Sequence, residues 1–323
     1  LLVRTFLLRK SLINGTYRIL PYIKFTIYEP KKREIVSARF RDRVFQRALC
    51  DNGLYEEITR SFIYENCACL KGRGTDYALN IFKKHLRKFF HKHRRDGYIL
   101  KLDVKKFFPS IPHCTAKKTL DKRIKDVGFL LRMYEIIDSF DEDSRSEQEL
   151  ATDPFGKRGL SLGSQVSQLI ALAVLDDLDH YIKEELKIKQ YVRYMDDMVL
   201  IHPDKEYLKR CWKRIEEKIN AIGLSLNKKS CMFPVRQGVI FLQQRFILTD
   251  TGKVVTRASN KNKRHEMRKL RGLKRVYDRG EIKAKGIMDH FQSWQAHAQR
   301  SKSYNLINYM WKFGHQLFHG ETK

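Results

Sequence analysis

Apolar positions along the chain follow two different periods. Tyr22 to Tyr28 is an extended run that stops at Glu29-Pro30, while Tyr98 to Val104 (YILKLDV) and Tyr191 to Ile201 (YVRYMDDMVLI) are β-branched apolar runs with acids at their breaks. These three predict strands. Elsewhere helical spacing recurs, beginning with LLVRTFLLRK, where Arg4 interrupts the apolar run and no small-residue cleavage site follows, so the segment is expected to open the fold rather than serve as a targeting peptide. In KKREIVSARFRDRVFQRAL, Ser37 is expected to cap a helix that buries Val44, Phe45, Ala48 and Leu49 and keeps Arg41, Arg43 and Arg47 solvated. A Gly-rich turn, KGRGT at 71 to 75, leads into a helix expected from Asp76 to Arg95, with Tyr77, Ile81, Phe82, Leu86, Phe89 and Phe90 inward and Gly97 beyond its basic end. His85, His91 and His93 are assigned to its solvated basic face, where the flanking Lys and Arg would repel a metal ion. SFDEDSRSEQELATDP predicts a loop, GLSLGSQVSQ follows it, and LIALAVLDDLDHYIKEEL predicts one long helix. After Asp250 helical periodicity runs to the end of the chain.

Charge narrows the class. The 323 residues hold 65 Lys plus Arg against 37 Asp plus Glu, a net +28, which implies a polyanionic partner, nucleic acid before an anionic membrane. A 42% hydrophobic content argues against disorder, and the length allows two or three packed units. From Arg257 to Arg275 there are nine Lys or Arg against one Glu, which places a boundary near 250. No window reaches the roughly 18 apolar residues of a spanning helix, so no membrane association is expected. The six cysteines show no CxxC pair, which indicates neither a zinc module nor a disulfide framework and suits a cytoplasmic location.

The acids carry the chemistry. Asp196-Asp197 interrupts an apolar run, so two strands joined by a tight turn would hold both carboxylates at one sheet edge, and Asp103, 93 residues before Asp196 at the end of its own strand, is the natural third member. Three crowded carboxylates stay ionised only when cations compensate them, and magnesium, a hard ion that takes oxygen ligands, suits such a set. Asp176-Asp177 is an internal control. It lies in a helical pattern with Asp179 close by and is assigned to a solvated face or a helix-to-loop contact without chemistry.

LKLDVKKFFPSI, GLSLGSQVSQ and RYMDDMVLI, in this order, resemble motifs A, B and C of reverse transcriptases, and with LSLNKKS and FLQQRF the resemblance covers about residues 33 to 246. It implies an α+β right-hand polymerase: fingers at 1–97, a palm of antiparallel sheet plus helices at 98–250 with finger insertions around 111–158, and a helical thumb at 251–323. It further implies two Mg2+ ions on Asp103, Asp196, Asp197 and the Val104 carbonyl, one activating the primer 3′-hydroxyl and the other stabilising the departing pyrophosphate. By the same resemblance Phe108 is the ring beneath the incoming sugar that favours dNTPs, and the amides of Lys106 and Phe107 face the triphosphate. From the residues alone, either ring of Phe107-Phe108 could be core. Lys71 and Arg73 resemble the fingers segment that grips the triphosphate, with a basic turn on template backbone as the alternative. Arg39, Arg41 and Arg43 are placed to meet template or nucleotide phosphate without a ranking among them. Lys229 matches a lysine that protonates pyrophosphate, and Lys228 is its rival.

Motif B departs from the commonest pattern, in which Gln precedes the Gly and Pro follows the Ser: here Leu162 precedes Gly163 and Gln168 follows Ser167. Leu offers shape but no hydrogen bond to the nascent pair, so geometric checking would relax. LGSQVSQ resembles the form in diversity-generating retroelements, as does the thumb-like SWQAHAQRSKSYNLINYMWKF. That resemblance implies error-prone cDNA synthesis from a template-repeat RNA in mutagenic retrohoming, with an accessory variability protein as partner beside template RNA, the RNA/cDNA duplex and dNTPs. Trp294, Trp311 and Phe313 are expected in the bundle core. Group II intron enzymes and retron enzymes are related alternatives, although the retron Val-Thr-Gly is here Val255-Thr256-Arg257, and the roughly seventy residues past FLQQRF lead one to expect no appended endonuclease. A catalytically inert RNA-binding maturase is the non-enzymatic alternative.

Overall fold

The computed structural model describes residues 2–28, 33–140, 145–301 and 303–319, so Glu29-Pro30 and residues 141–144 of the polar stretch lie outside the described residues. Two compact units emerge: the chain up to Ile81 together with Leu100–Met232, and Phe82–Ile99 together with the chain from Phe233 onward.

The first unit opens with α1 (Leu2–Ile13) and a hairpin of β1 (Ile23–Ile27) and β2 (Arg33–Ser37), followed by α2 (Phe40–Leu49) and α3 (Tyr55–Thr59). Ser37 ends β2, and the N-cap of α2 is Arg39 without a side-chain cap, which corrects the expected cap. The buried stripe of α2 is also different: Asp42, Phe45 and Gln46 face inward while Ala48 is exposed. Two polar residues tolerate that burial because each has partners. Asp42 accepts from the Tyr17 hydroxyl (2.8 Å) and the Leu20 amide (3.0 Å), and Gln46 accepts from Ser164 (2.8 Å).

Helix α4 (Thr75–His93) and strand β3 (Tyr98–Asp103) come next. His85 of α4 is buried, contrary to the solvated face expected for it, because its turn also carries the inward Leu86, whereas His91 and His93 are exposed. Four helices follow: α5 (Phe107–Ser110), α6 (His113–Asp121), α7 (Val127–Asp138) and α8 (Glu147–Thr152). The last of these falls inside the predicted loop, where Ser146 and Glu149 form a reciprocal capping box. The long apolar helix is broken at Leu175 into α9 (Gln165–Val174) and α10 (Asp176–His180), with a wider turn at Tyr181–Glu185.

A four-stranded sheet of order β4-β5-β3-β6 contains β4 (Gln190–Tyr194), β5 (Asp197–His202) and β6 (Cys231–Pro234), with α11 (Lys205–Ala221) between the last two in sequence. The interiors of β4 and β5 are buried at every position, not at alternate ones, which is the signature of a sheet covered on both faces. Helix α9 is itself buried along most of its length, at Val166, Leu169 and Ile170 through Val174.

In the second unit, β7 (Val239–Phe241), β8 (Gln244–Leu248) and β9 (Val254–Ala258) form an antiparallel sheet, and the Phe82 ring meets Phe241 and Phe246 at 5.3 and 5.0 Å. Three helices follow: α12 (Asn260–Asp278), α13 (Ala284–Gln299) and α14 (Tyr304–His319). Leu270, Phe291, Trp294, Ala298, Ile307 and Met310 form their shared core, against which Phe313 packs. Trp311, expected in that core, lies at its rim, 41% exposed, with its indole N–H donating to Gln295 (3.2 Å). A polar indole nitrogen needs a partner, and the rim provides one. All six cysteines are free, and among the described residues no helix is long and apolar enough to cross a membrane.

Gly223 shows how closely the first unit is packed where α11 ends. Its φ is +78°, and a Cβ there would stand 2.7 Å from Pro112 and 2.8 Å from Phe155. Gly223→Ala is therefore expected to lose about 2 kcal/mol or more of stability, from left-handed strain and overlap together, measured as a lowered urea midpoint against the parent chain.

Candidate active site

The site is built where β3 and β5 lie side by side. Tyr194 and Asp197 are register partners across β4 and β5, so Met195 and Asp196 form a two-residue turn, with Met195 at φ +55°. Asp103 closes β3 and lies within hydrogen-bonding reach of the Asp196 carboxyl. The three acids named from sequence therefore meet at one sheet edge. Asp103 is itself anchored by the segment 227–230: its Oδ2 accepts from the Asn227 side-chain amide (2.8 Å), its carbonyl accepts from the Asn227 N–H (2.7 Å), and its own N–H donates to Ser230 Oγ (3.3 Å). Asp197 pairs with the Lys101 ammonium at 3.2 Å through Oδ2, while its Oδ1 is buried without a hydrogen-bond partner.

Electrostatics follow from this crowding. Burial, reinforced by the charges of Asp103 and Asp197, pushes the Asp196 carboxyl from an ordinary 3.8 up to about 6. Burial also raises Asp197 to about 6, against the opposing pull of Lys101. Such a site is short of positive charge. Among the described residues, no three His, Cys, Asp or Glu side chains already form a cage for an ion. The donor set still fits a hard divalent cation: its donors are oxygens, one of them an orphaned buried carboxylate atom, and burial disfavours the charged form of two of its acids, which a bound cation would offset.

The other expected site residues are spread around this edge. Val104 is buried and bridged to Leu226. Lys106, at φ +46°, turns the chain into α5, where Phe107 is buried and Phe108 half-buried, their rings 5.7 Å apart. Leu160 N–H donates to the Phe108 carbonyl (3.0 Å), which ties the segment before Gly163 to the one after Asp103. Leu162 lines a 220 Å³ pocket with Val36, Pro109 and Phe140, and Gly163, at φ +95°, precedes Ser164, whose hydroxyl caps α9. Arg43 lines a 370 Å³ pocket with Gly163 and Gln165, whereas Arg39 donates to the Pro21 carbonyl and Arg41 to Asp42 and the Arg18 carbonyl. Lys71 is exposed, its ammonium 4.6 Å over the Tyr55 ring. Arg73 instead donates to the carbonyls of Ile63 (2.8 Å) and Asn66 (2.9 Å), which shapes the turn. Lys228 and Lys229 are both exposed.

Asn227, Ser230 and Lys101 do not stand out in the sequence, and the one signal for them is the Asn and Ser that flank the lysines of LSLNKKS. Of the control acids, Asp177 is exposed and pairs with Lys122, and Asp176 meets Ser61 and Arg123 in a buried helix-to-loop contact, the two alternatives expected; Asp179, buried against Arg193, fits neither.

Comparison with known proteins adds an independent line. A family model described as "Reverse transcriptase (RNA-dependent DNA polymerase)" matches residues 29–261. Similar curated proteins include the "Putative COX1/OXI3 intron 2 protein" of Saccharomyces cerevisiae, 30% identical over 91 residues, or 28% of this chain and 10% of that protein. The "Retrovirus-related Pol polyprotein from type-2 retrotransposable element R2DM" of Drosophila melanogaster is 26% identical over 151 residues, 44% of this chain and 14% of that one. "Protein YkfC" of Escherichia coli is 23% identical over 283 residues, 75% and 70% respectively. The chain thus spans only a small part of the first two. Among solved structures, telomerase from Candida albicans in complex with a fragment of telomeric RNA superposes with a TM-score of 0.55 at 13% identity, over 80% of this chain and 50% of that one. Telomerase from Candida tropicalis truncated from its C-terminal domain gives 0.52 at 12%, over 78% and 59%. These last two bear on fold alone, a mixed helix and antiparallel-sheet polymerase fold.

The raised carboxyls have a thermodynamic consequence. Between pH 4 and about 6 the folded chain holds protons that the unfolded chain has released, so the stability of the metal-free protein falls as pH rises through that window and stays low above it. Asp196→Asn is expected to stabilise the metal-free chain by about 1–2 kcal/mol at pH 7.5 and by little at pH 4. Thermal melts in EDTA at both pH values check this, and added Mg2+ should raise the midpoint of the parent more than that of the variant.

Proposed function

The chain belongs to the reverse transcriptase family, and from that membership we propose that it is an RNA-directed DNA polymerase that copies a template RNA into cDNA from dNTPs. The observation that carries the reading is the meeting of Asp103, Asp196 and Asp197 at one sheet edge, where burial raises the Asp196 and Asp197 carboxyls above the ordinary carboxylate range. Asp103, Asp196 and Asp197, with the Val104 carbonyl, would hold two Mg2+ ions. When bound, such ions supply polarisation of the primer hydroxyl and neutralisation of the departing pyrophosphate.

The chain's own residues do the rest. Asn227 and Ser230 hold Asp103 in place, and Lys101 steadies Asp197. Phe108 lies beneath the incoming sugar, with Lys106 and Phe107 amides and the Lys71 ammonium toward the triphosphate, while Arg73 shapes the turn that presents Lys71. Arg43, in the pocket beside Gly163, meets template or nucleotide phosphate. Lys229, on the turn that Asn227 anchors, delivers a proton to pyrophosphate. Fingers at 1–97, palm at 98–250 and a thumb at 251–323 that includes the basic α12–α14 bundle complete the assignment.

We further propose the diversity-generating class, which copies a template-repeat RNA with frequent errors and works with an accessory variability protein. Leu162 in motif B and the C-terminal segment from Ser293 support it. A group II intron-like role is the second reading, favoured by the similarity to an intron-encoded protein of yeast. The sequence of the cDNA separates them, because errors focused at template adenines are expected only from the first.

Asp196→Asn with Asp197→Asn is expected to abolish dNTP incorporation on a primed RNA while leaving RNA binding intact; retained synthesis would refute the polymerase assignment. Leu162→Gln is expected to lower misincorporation opposite template adenine by about threefold to tenfold, the range a single added hydrogen bond allows. Sequencing of cDNA made by parent and variant reads the effect directly, and an unchanged spectrum means that Leu162 does not set fidelity.

A further inference from the structure

Arg193 and Asp179 form a completely buried ion pair that takes no part in the chemistry proposed for the three acids. The guanidinium Nε donates to both Asp179 oxygens (2.7 and 3.0 Å), and Nη2 donates to Oδ2 (2.6 Å) and to the Leu172 carbonyl (3.2 Å). Tyr191 adds its hydroxyl to Asp179 Oδ1 at 2.6 Å. A desolvated pair of this kind is a poor source of stability, since apolar side chains of similar volume generally hold a core as well or better. Its geometry offers something they cannot. The remaining nitrogen, Nη1, donates to the carbonyl of Met195 at 3.1 Å.

That carbonyl belongs to the peptide joining Met195 to Asp196. Met195 is a non-glycine residue at φ +55°, a conformation that persists only when its surroundings over-determine it. The base from which Arg193 reaches is itself fixed: its N–H donates to the Glu65 carbonyl and its carbonyl accepts from the Cys67 N–H, both at 3.0 Å, which closes that edge of β4. With both ends of the side chain immobilised, the guanidinium sets the plane of the 195–196 peptide and therefore the direction in which the Asp196 carboxyl leaves the backbone.

We propose that Arg193, oriented by Asp179, is a positioning residue for the catalytic turn, holding the Met195 carbonyl so that Asp196 is aimed at Asp103. The inference rests on the polymerase reading for its kinetic test, but not for its binding test. A pair that served packing alone would leave Asp196 where it is once apolar side chains replaced it.

The deciding variant is Asp179→Leu with Arg193→Leu, which leaves neither charge buried alone. It is expected to melt close to the parent and to bind duplex as well. It should bind Mn2+, followed by electron paramagnetic resonance of the free ion, about fivefold more weakly, and incorporate dNTP in a single turnover about thirtyfold more slowly with the KM for dNTP little changed. Parental Mn2+ affinity and rate in the folded double variant would overturn the proposal. Should that variant not fold, Arg193→Lys keeps a charge for Asp179 but loses the fork that reaches Met195, so the same two losses are expected and parental values again overturn it. If the parent binds Mn2+ but makes no cDNA, the polymerase reading falls, and the Mn2+ comparison still decides the role of Arg193.

Discussion

Everything at this site depends on the cost of burying carboxylates that the fold brings together. Two strands of one sheet end side by side, and the chain places acids at both ends. Left alone, such a cluster would open or take up protons; burial, with the charge of Asp103 adding to it, raises the Asp196 and Asp197 carboxyls. What keeps the arrangement intact is a ring of donors around it. Asn227 and Ser230 fix Asp103, Lys101 offsets part of the charge on Asp197, and Arg193 restrains the turn from behind.

The scaffold is suited to bear that load. Strands β4 and β5 are buried on both faces and edged by backbone hydrogen bonds to residues 65 and 67, so the turn between them has little freedom to relax away from Asp103. Around it, the motif segments are tied to one another by hydrogen bonds. Leu160 bonds to the Phe108 carbonyl, Ser161 to the Val36 carbonyl, and Ser164 to Gln46. Positions implicated in nucleotide contact are thus linked to the carboxylates through short covalent and hydrogen-bonded paths.

Much of this was legible in the sequence because acids set within an apolar run are costly to bury and mark the place where a strand ends or a turn begins. The strands at 98 and 191, their meeting, and the two-residue turn all follow from that pattern. The polar exceptions were not legible. Asp179 sits in a helical stretch rich in acids, and only the distant placement of Arg193 in a strand distinguishes it from a surface residue. Asp42 and Gln46 are buried for the sake of Tyr17 and Ser164, partners that no periodicity reveals. The same holds for Ser37, which strand pairing claimed before it could act as a cap, and for α8, whose capping box lies in a stretch of loop-like composition. Trp311 marks the reverse case, a large ring beside a core that needed only its edge.

The two-sided burial of β4 and β5 also partitions where this chain can change. Every interior position of those strands faces packed side chains, so nearly any substitution there is felt as a packing defect. Leu162, by contrast, lines a small open pocket at the end of a glycine-containing turn, where a new side chain displaces mainly solvent. On the proposed function, accuracy of copying would be free to drift at that rim while the buried strands that carry the acids stay constant.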